Sequence, residues 1–313
     1  MSATQAKRTV ALIGGEFSGG QPKGGVERAP KMMRQAKIVD QVKALGYEVN
    51  DCGDHAFPSP DAANSSADPP AGIVKNPRTV GNACKQIYDI VQAAVKRDEI
   101  VYTIGGDHSL GLATVGGHAA SRPNLCCIWV DAHADINTAE TTGSGNMHGM
   151  PVSILLGLQK PQDIPGFEWF NPVMTTADIV YIGLRDLDEG ERSIIRKFGM
   201  KAFTMHHVDK YGIGQVVQMA LDHVNPKRDR PIHLSFDVDA LDPAIAPSTG
   251  TTVRGGLTFR EGHYICEAVY ETGLLRGLDI MEVNPALGND KEVADTIAIG
   301  CSLTRCALGE TLL

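Results

Sequence analysis

Six short apolar runs recur along the 313-residue chain: TVALIGG, IVYTIGGDHS, CCIWVDAHAD, DIVYIGLRD, IHLSFDVDALD and GLLRGLDIMEVNP. Each is hydrophobic almost without interruption up to its polar end, where a half-solvated strand would alternate. Near-continuous hydrophobicity marks strands buried on both faces, as in a parallel sheet covered by helices. The intervening segments supply those helices. In residues 83–96, Ile87, Ile90, Val91, Ala94 and Val95 mark one helical face, and similar patterns lie at 31–45, 190–198, 215–224, 260–271 and 293–308. The alternation predicts one open α/β sheet with helices on both sides. Residues 51–82, rich in Pro, Asp, Ala and Ser, show no period. They read as an exposed excursion rather than a linker, because strand–helix alternation resumes directly; one domain over 1–313 is expected.

The polar residues cluster by position in these strands. Asp107, His108, Asp131, Asp188, Asp237 and Glu282 all follow the apolar part of a run. In open parallel sheets that C-terminal edge is where ligands bind. Asp131, His133 and Asp135 are spaced i, i+2, i+4, which in extended chain points three side chains the same way, roughly 6–7 Å apart per step. Asp237 and Asp239 repeat the device, and His108 ends a third strand. A single D-x-H-x-D can be a surface turn; three such motifs, all at strand ends, point to a shared site. Four carboxylates beside two imidazoles repel one another in a cleft unless cations are bound. Oxygen-rich ligands with no thiolate favour Mn²⁺, then Co²⁺, Fe²⁺ or Zn²⁺. Two such ions lower the pKa of a bridging water, so hydrolysis is the expected chemistry.

Composition narrows the partners. A net charge of −8 argues against nucleic acid or an anionic membrane surface, and no apolar run reaches transmembrane length. The stretch MSATQAKRTVALI resembles neither a signal peptide nor a transit segment. Seven cysteines without a C-x-x-C pair read as buried free thiols, which suits the reducing cytosol. His206 and His207 are expected to be structural, Trp129 to be core, and GGEFSGGQPKGG, which lacks a phosphate-loop pattern, to shape a rim of the cleft.

With GGDHS (105–109), DAHADINT (131–138), SGNMHG (144–149), SFDVDALDP (235–243) and DIMEVNP (279–285) present in order, the chain resembles the arginases of the ureohydrolase family. The resemblance runs over nearly the whole chain. It implies a three-layer α/β/α fold with a mostly parallel, eight-stranded sheet, assembled as a cytoplasmic homotrimer. It also implies hydrolysis of L-arginine to L-ornithine and urea, as in the urea cycle, by a hydroxide bridging two manganese ions per subunit. His108, Asp131, Asp135 and Asp237 would hold one ion; Asp131, His133, Asp237 and Asp239 the other. Glu282 would pair with the guanidinium, His148 would supply or relay a proton to the leaving amine, and Asp135 would accept a hydrogen bond from the hydroxide. Asn137 and Ser144 would bind the α-carboxylate, with Thr142 and Asn146 nearby, while Asp188 and Glu191 would face the α-ammonium.

Three positions depart from the family pattern: Glu16 and Thr252 where proline is expected, and Gly143 where a polar residue is expected beside Ser144. None is a ligand, so affinity rather than chemistry is affected. The nearest rival is an agmatinase or guanidinobutyrase, whose substrates lack an α-substituent and would leave part of the Asn137, Ser144 and Asp188 set without partners. An arginase-like scaffold would be marked by a lost ligand, and all six are present. A deacetylase of related fold would keep one metal.

Overall fold

The computed structural model describes residues 8–57 and 68–311. Among them, eight strands form one sheet: β1 (Thr9–Glu16), β2 (Glu48–Ala56), β3 (Ile100–Ile104), β4 (Cys126–Val130), β5 (Ile179–Leu184), β6 (Lys201–Thr204), β7 (Ile232–Asp237) and β8 (Leu275–Met281). Their order is β2-β1-β3-β8-β7-β4-β5-β6, and every neighbouring pair is parallel. The six apolar runs are the six inner strands. The two they miss, β2 and β6, are the edges, where one side of the ladder is open and the residues are largely half-buried or exposed. Continuous hydrophobicity is therefore not needed there.

The helices are α1 (Ala29–Gln35), α2 (Ile38–Ala44), α3 (Pro77–Lys96), α4 (Gly111–Ser121), α5 (Pro151–Leu155), α6 (Glu189–Phe198), α7 (Met205–Tyr211), α8 (Ile213–Val224), α9 (Phe259–Glu271) and α10 (Asp290–Ala307). Met33, Ile38, Val216, Ile265 and Leu303 cover one face of the sheet together with Val10, Ile128 and Leu234. Ile87, Val91, Leu112, Val115 and Leu155 cover the other, with Ala11, Val101 and Trp129. Three layers result. The expected helix over 31–45 is two helices, broken where Lys37 takes φ 66°, a left-handed backbone with no glycine to signal it. The sequence pattern also misses α4, because residues Gly111 to Ala119 are buried on all sides and leave no polar face.

The aperiodic segment 51–82 is shorter than expected. Its first six residues complete β2 and its last six begin α3, whose start is set by Pro77 at the first turn. Residues 58–67 of that segment lie outside the described residues. Residues 68–76 return along the cleft: Asn76 Nδ2 donates to Gly19 O (3.0 Å) and Lys75 N to Gly145 O (2.9 Å).

Candidate metal centre and cleft

The four central strands β3, β8, β7 and β4 are far apart in sequence and adjacent in the sheet. Each ends in a polar turn at the same edge. After β3, Asp107 caps a short 3-10 turn by accepting from Ser109 N (3.0 Å), and its other oxygen accepts from Gly20 N (2.8 Å). That turn presents His108, whose Nδ1 lies 3.1 Å from Asp131 Oδ2, 3.2 Å from Asp237 Oδ2 and 3.3 Å from Asp135 Oδ2. The imidazole stacks on Trp129, with ring centres 4.1 Å apart and planes 10° apart.

After β4 the chain does not stay extended through Asp135, as the i, i+2, i+4 spacing predicts. It turns at once: His133 N donates to Asp131 Oδ1 (2.7 Å), and Asp135 adopts a left-handed backbone at φ 52°. The carboxylates still converge, through a folded loop rather than a strand. Asp239 behaves alike, sitting in the 3-10 turn after β7 with its N–H on Asp237 Oδ1 (2.8 Å). His133 Nδ1 lies 3.2 Å from Asp239 Oδ2 and 3.4 Å from Asp131 Oδ1.

Two sets of ligand atoms lie within 4.8 Å of one another: His108, Asp131 and Asp237, and Asp131, His133 and Asp239. Asp131 is common to both; Asp237 falls in the first alone, and Asp135 adjoins it through His108. Burial pushes the Asp135, Asp237 and Asp239 carboxyls upward, reinforced by the Asp131 charge on each and by the Asp239 charge on Asp237. Burial would raise Asp131 too, but hydrogen bonds from His108 and His133 hold it below the usual carboxylate range. Burial would lower both imidazoles. Hydrogen bonds to Asp131 and Asp237 instead raise His108, and the charge of Asp239 with hydrogen bonds to Asp131 and Asp239 raises His133. A proton on His108 Nδ1 points at one carboxylate and cannot serve three. A multivalent cation at the same place can, so the donor set fits a metal centre.

Beside this cluster, Glu282 also has a left-handed backbone, φ 62°. Its Oε1 accepts from His108 N (2.9 Å) and lies 3.2 Å from His148 Nδ1. His148 N donates to Gly20 O (3.0 Å), so the glycine-rich loop after β1 forms the expected rim. The residues expected to recognise the substrate's α-groups lie on the loop after Asp135 and at the start of α6. Asn137 Nδ2 donates to Asp188 Oδ2 (2.7 Å) and Asn137 Oδ1 accepts from Thr141 Oγ1 (2.8 Å). Asp188 caps α6, and Glu191 completes the reciprocal box. Thr142 Oγ1 accepts from Gly145 N (3.0 Å), exposed Ser144 accepts from Asn146 N (3.2 Å), and Asn146 Oδ1 accepts from Lys75 Nζ (3.3 Å).

Comparison with known proteins agrees with this geometry. The model of the Arginase family matches residues 8–309. The chain belongs to the arginase family. It is 55% identical to the arginase of Glaciozyma antarctica, covering 98% of this chain and 89% of that protein. The solved arginase of Bacillus caldovelox superposes with a TM-score of 0.90 at 34% identity, covering 98% of this chain and all of that one. The Entamoeba histolytica arginase, solved in complex with L-ornithine, superposes with a TM-score of 0.86 at 28% identity, covering 98% and 100%.

Within this arginase fold, other residues support the cluster in ways the sequence reading does not anticipate. Trp129 is core as expected, yet its Nε1 donates to Asp131 Oδ2 (3.1 Å). Thr251 Oγ1 donates to Asp239 Oδ2 (2.6 Å). Arg185 sends its guanidinium to the carbonyls of Asp239 (2.7 Å), Ala240 (3.0 Å) and Val253 (2.7 Å), holding the turn that carries Asp239. The polar ends of the strand motifs signal the candidate ligands, whereas nothing local marks these supports. His206 and His207 lie in α7, where His207 Nδ1 accepts from Thr204 N (3.0 Å) as a helix cap.

Proposed function

We propose that the protein hydrolyses L-arginine to L-ornithine and urea with two Mn²⁺ ions per subunit. The observation that carries this is four carboxylates closing on two imidazole Nδ1 atoms beside the Asn137–Asp188 pair. His108, Asp131, Asp135 and Asp237 would hold one ion, and Asp131, His133, Asp237 and Asp239 the other. When bound, the ions lower the pKa of water enough to provide a nucleophile at neutral pH.

The remaining work falls to side chains. Glu282 pairs with the planar guanidinium and aims its carbon at the nucleophile. His148 holds a proton at Nδ1, against Glu282, and delivers or relays it to the amine that leaves. Asp135 accepts a hydrogen bond from the attacking water. Asn137 and Ser144 donate to the α-carboxylate, with Thr142 and Asn146 framing the loop, and Asp188 with Glu191 receives the α-ammonium. The Asn137–Asp188 contact is itself a donor–acceptor pair at 2.7 Å. An α-amino acid replaces it on both sides at once; agmatine, lacking the carboxylate, leaves Asn137 unmatched. The L-ornithine complex of the Entamoeba relative supports an α-amino acid product here.

The same reading makes the chain one arginase-like domain assembled as a cytoplasmic homotrimer in arginine metabolism. All seven cysteines are free and six are buried, which suits a reducing compartment. No helix among the described residues is long and apolar enough to cross a membrane.

The test is urea release from L-arginine and agmatine side by side, with Mn²⁺ and with a metal-free control. Metal-dependent release from arginine alone is expected. Preference for agmatine would overturn the roles of Asn137, Ser144 and Asp188, and silence on both substrates with metal bound would leave an arginase-like scaffold.

A further inference from the structure

The seam between β7 and β8 carries a line of polar groups with no solvent contact. His233, Ser235 and Asp237 alternate along β7 on the side facing α4, and Gly277 and Asp279 lie beside His233 and Ser235 in register on β8. His118, Thr114, His233, Ser235 and Asp279 are wholly buried. Asp279 Oδ2 receives Thr114 Oγ1 at 2.6 Å, His233 Nε2 at 2.9 Å and Ser235 Oγ at 3.1 Å, while Oδ1 has no partner. His233 Nδ1 and His118 Nδ1 are 3.1 Å apart. A Cβ at Gly277 would sit 2.4 Å and 2.7 Å from those two nitrogens, so the absence of a side chain there is what admits the pair. At the other end, Ser235 Oγ lies 2.9 Å from His108 Nε2.

A carboxylate in an apolar core is costly, and apolar residues of like volume stabilise as well or better. Its worth lies in direction. A carboxylate only accepts, so the Ser235 O–H must point to Asp279. The hydroxyl then has only lone pairs to offer His108, and His108 must carry its proton on Nε2. In the neutral imidazole that a cation needs, Nδ1 is then the bare nitrogen, facing Asp131, Asp135 and Asp237. At the far end, burial with the nearby His233 keeps His118 neutral; its Nδ1–H donates to His233 Nδ1, and His233 Nε2–H donates to Asp279.

We propose that Asp279 is a positioning residue for the metal centre, acting through Ser235 to fix His108 as the tautomer whose Nδ1 binds the cation. It rests on the metal reading above. Buried partners of this kind orient imidazole ligands and raise their basicity. Asparagine at 279 could donate as well as accept, freeing the Ser235 hydroxyl to turn and the imidazole to take the other tautomer.

The test is direct Mn²⁺ titration of metal-stripped wild type, Asp279→Asn, Ser235→Ala and the double variant, with denaturant unfolding of each metal-free protein. Mn²⁺ affinity of one of the two sites, the one that takes His108, is expected to fall roughly 10- to 100-fold in each single variant. The double variant should lose no more than the worse single one, because both substitutions cut one chain. Unchanged affinity alongside lower metal-free stability would overturn the inference and make Asp279 merely structural, and so would losses that multiply. Ser235→Ala removes a single hydroxyl and decides the matter alone if Asp279→Asn does not fold: wild-type affinity in it overturns the relay. Wild type that binds no Mn²⁺ would overturn the metal reading itself, which tells the two failures apart.

Discussion

Glu282 Oε1 sits between two parts of the site, accepting from the backbone N–H of His108 at 2.9 Å and lying 3.2 Å from His148 Nδ1. The residue expected to hold the guanidinium thus also ties the turn carrying the candidate ligand His108 to the candidate proton donor. Its left-handed backbone, shared with Asp135, is a conformation that costs a non-glycine residue of order 1 kcal/mol or more and concentrates at working sites.

Burial would depress His148, but the hydrogen bond to Glu282, with its charge and that of Asp107, raises it above the ordinary imidazole value. Glu282→Gln removes that support. Turnover should fall by about 10²-fold or more. In the proposed donor role His148 works in its protonated form, so the alkaline limb of the residual kcat profile should move to lower pH. A pH–rate series on wild type and variant checks both, and an unmoved limb would take His148 out of the donor role.

Metal binding should expel protons. In the metal-free protein, hydrogen bonds to Asp131 and Asp237 overcome burial to raise His108, and the Asp239 charge with its hydrogen bonds does the same for His133. Both nitrogens must shed a proton to take a cation, so roughly one to two protons per subunit are released near neutral pH and affinity rises with pH. Calorimetric Mn²⁺ titrations in buffers of different ionisation enthalpy measure the number directly.

Glu191 is buried in the box that caps α6, and burial, followed by the Asp188 charge, pushes its carboxyl from 4.5 up to about 7. The folded state therefore keeps a proton that the unfolded chain gives up near 4.5. That contribution is fully present below the unfolded value and is lost as pH rises toward about 7. The loss is of order 3 kcal/mol at most. Glu191→Gln preserves the capping geometry. It should flatten the fall in unfolding free energy across that window and make the variant the more stable protein at pH 8.

Gly143 has ordinary backbone geometry, and a Cβ there meets no atom within 4 Å. Gly143→Thr should restrict the loop bearing Ser144 without a clash. The KM for arginine should drop by roughly two- to five-fold with kcat little changed, matching the small stabilisation such replacements provide. Steady-state kinetics decide it, and a higher KM would mean the loop must move to admit substrate.

The sequence by itself determined the inner sheet and the edge at which its acids and imidazoles gather. Those properties are local: a doubly buried strand must be apolar along its length, and a ligand must interrupt that pattern where the strand stops. Tertiary structure alone decided what lies between strands. Asp279 and His233 sit within apolar runs, and only the β7–β8 register sets them beside Ser235, so their polarity carries no local sign of purpose. The turns at Asp135 and Lys37 are both left-handed without glycine, the residue that would mark such a turn in the sequence. Nothing marks the edge strands β2 and β6 either, whose pairing comes from a neighbour rather than from their own composition. Four separate strands met at one edge because parallel crossovers stacked them there, and charges that repel in isolation became one cluster whose donors fit a metal.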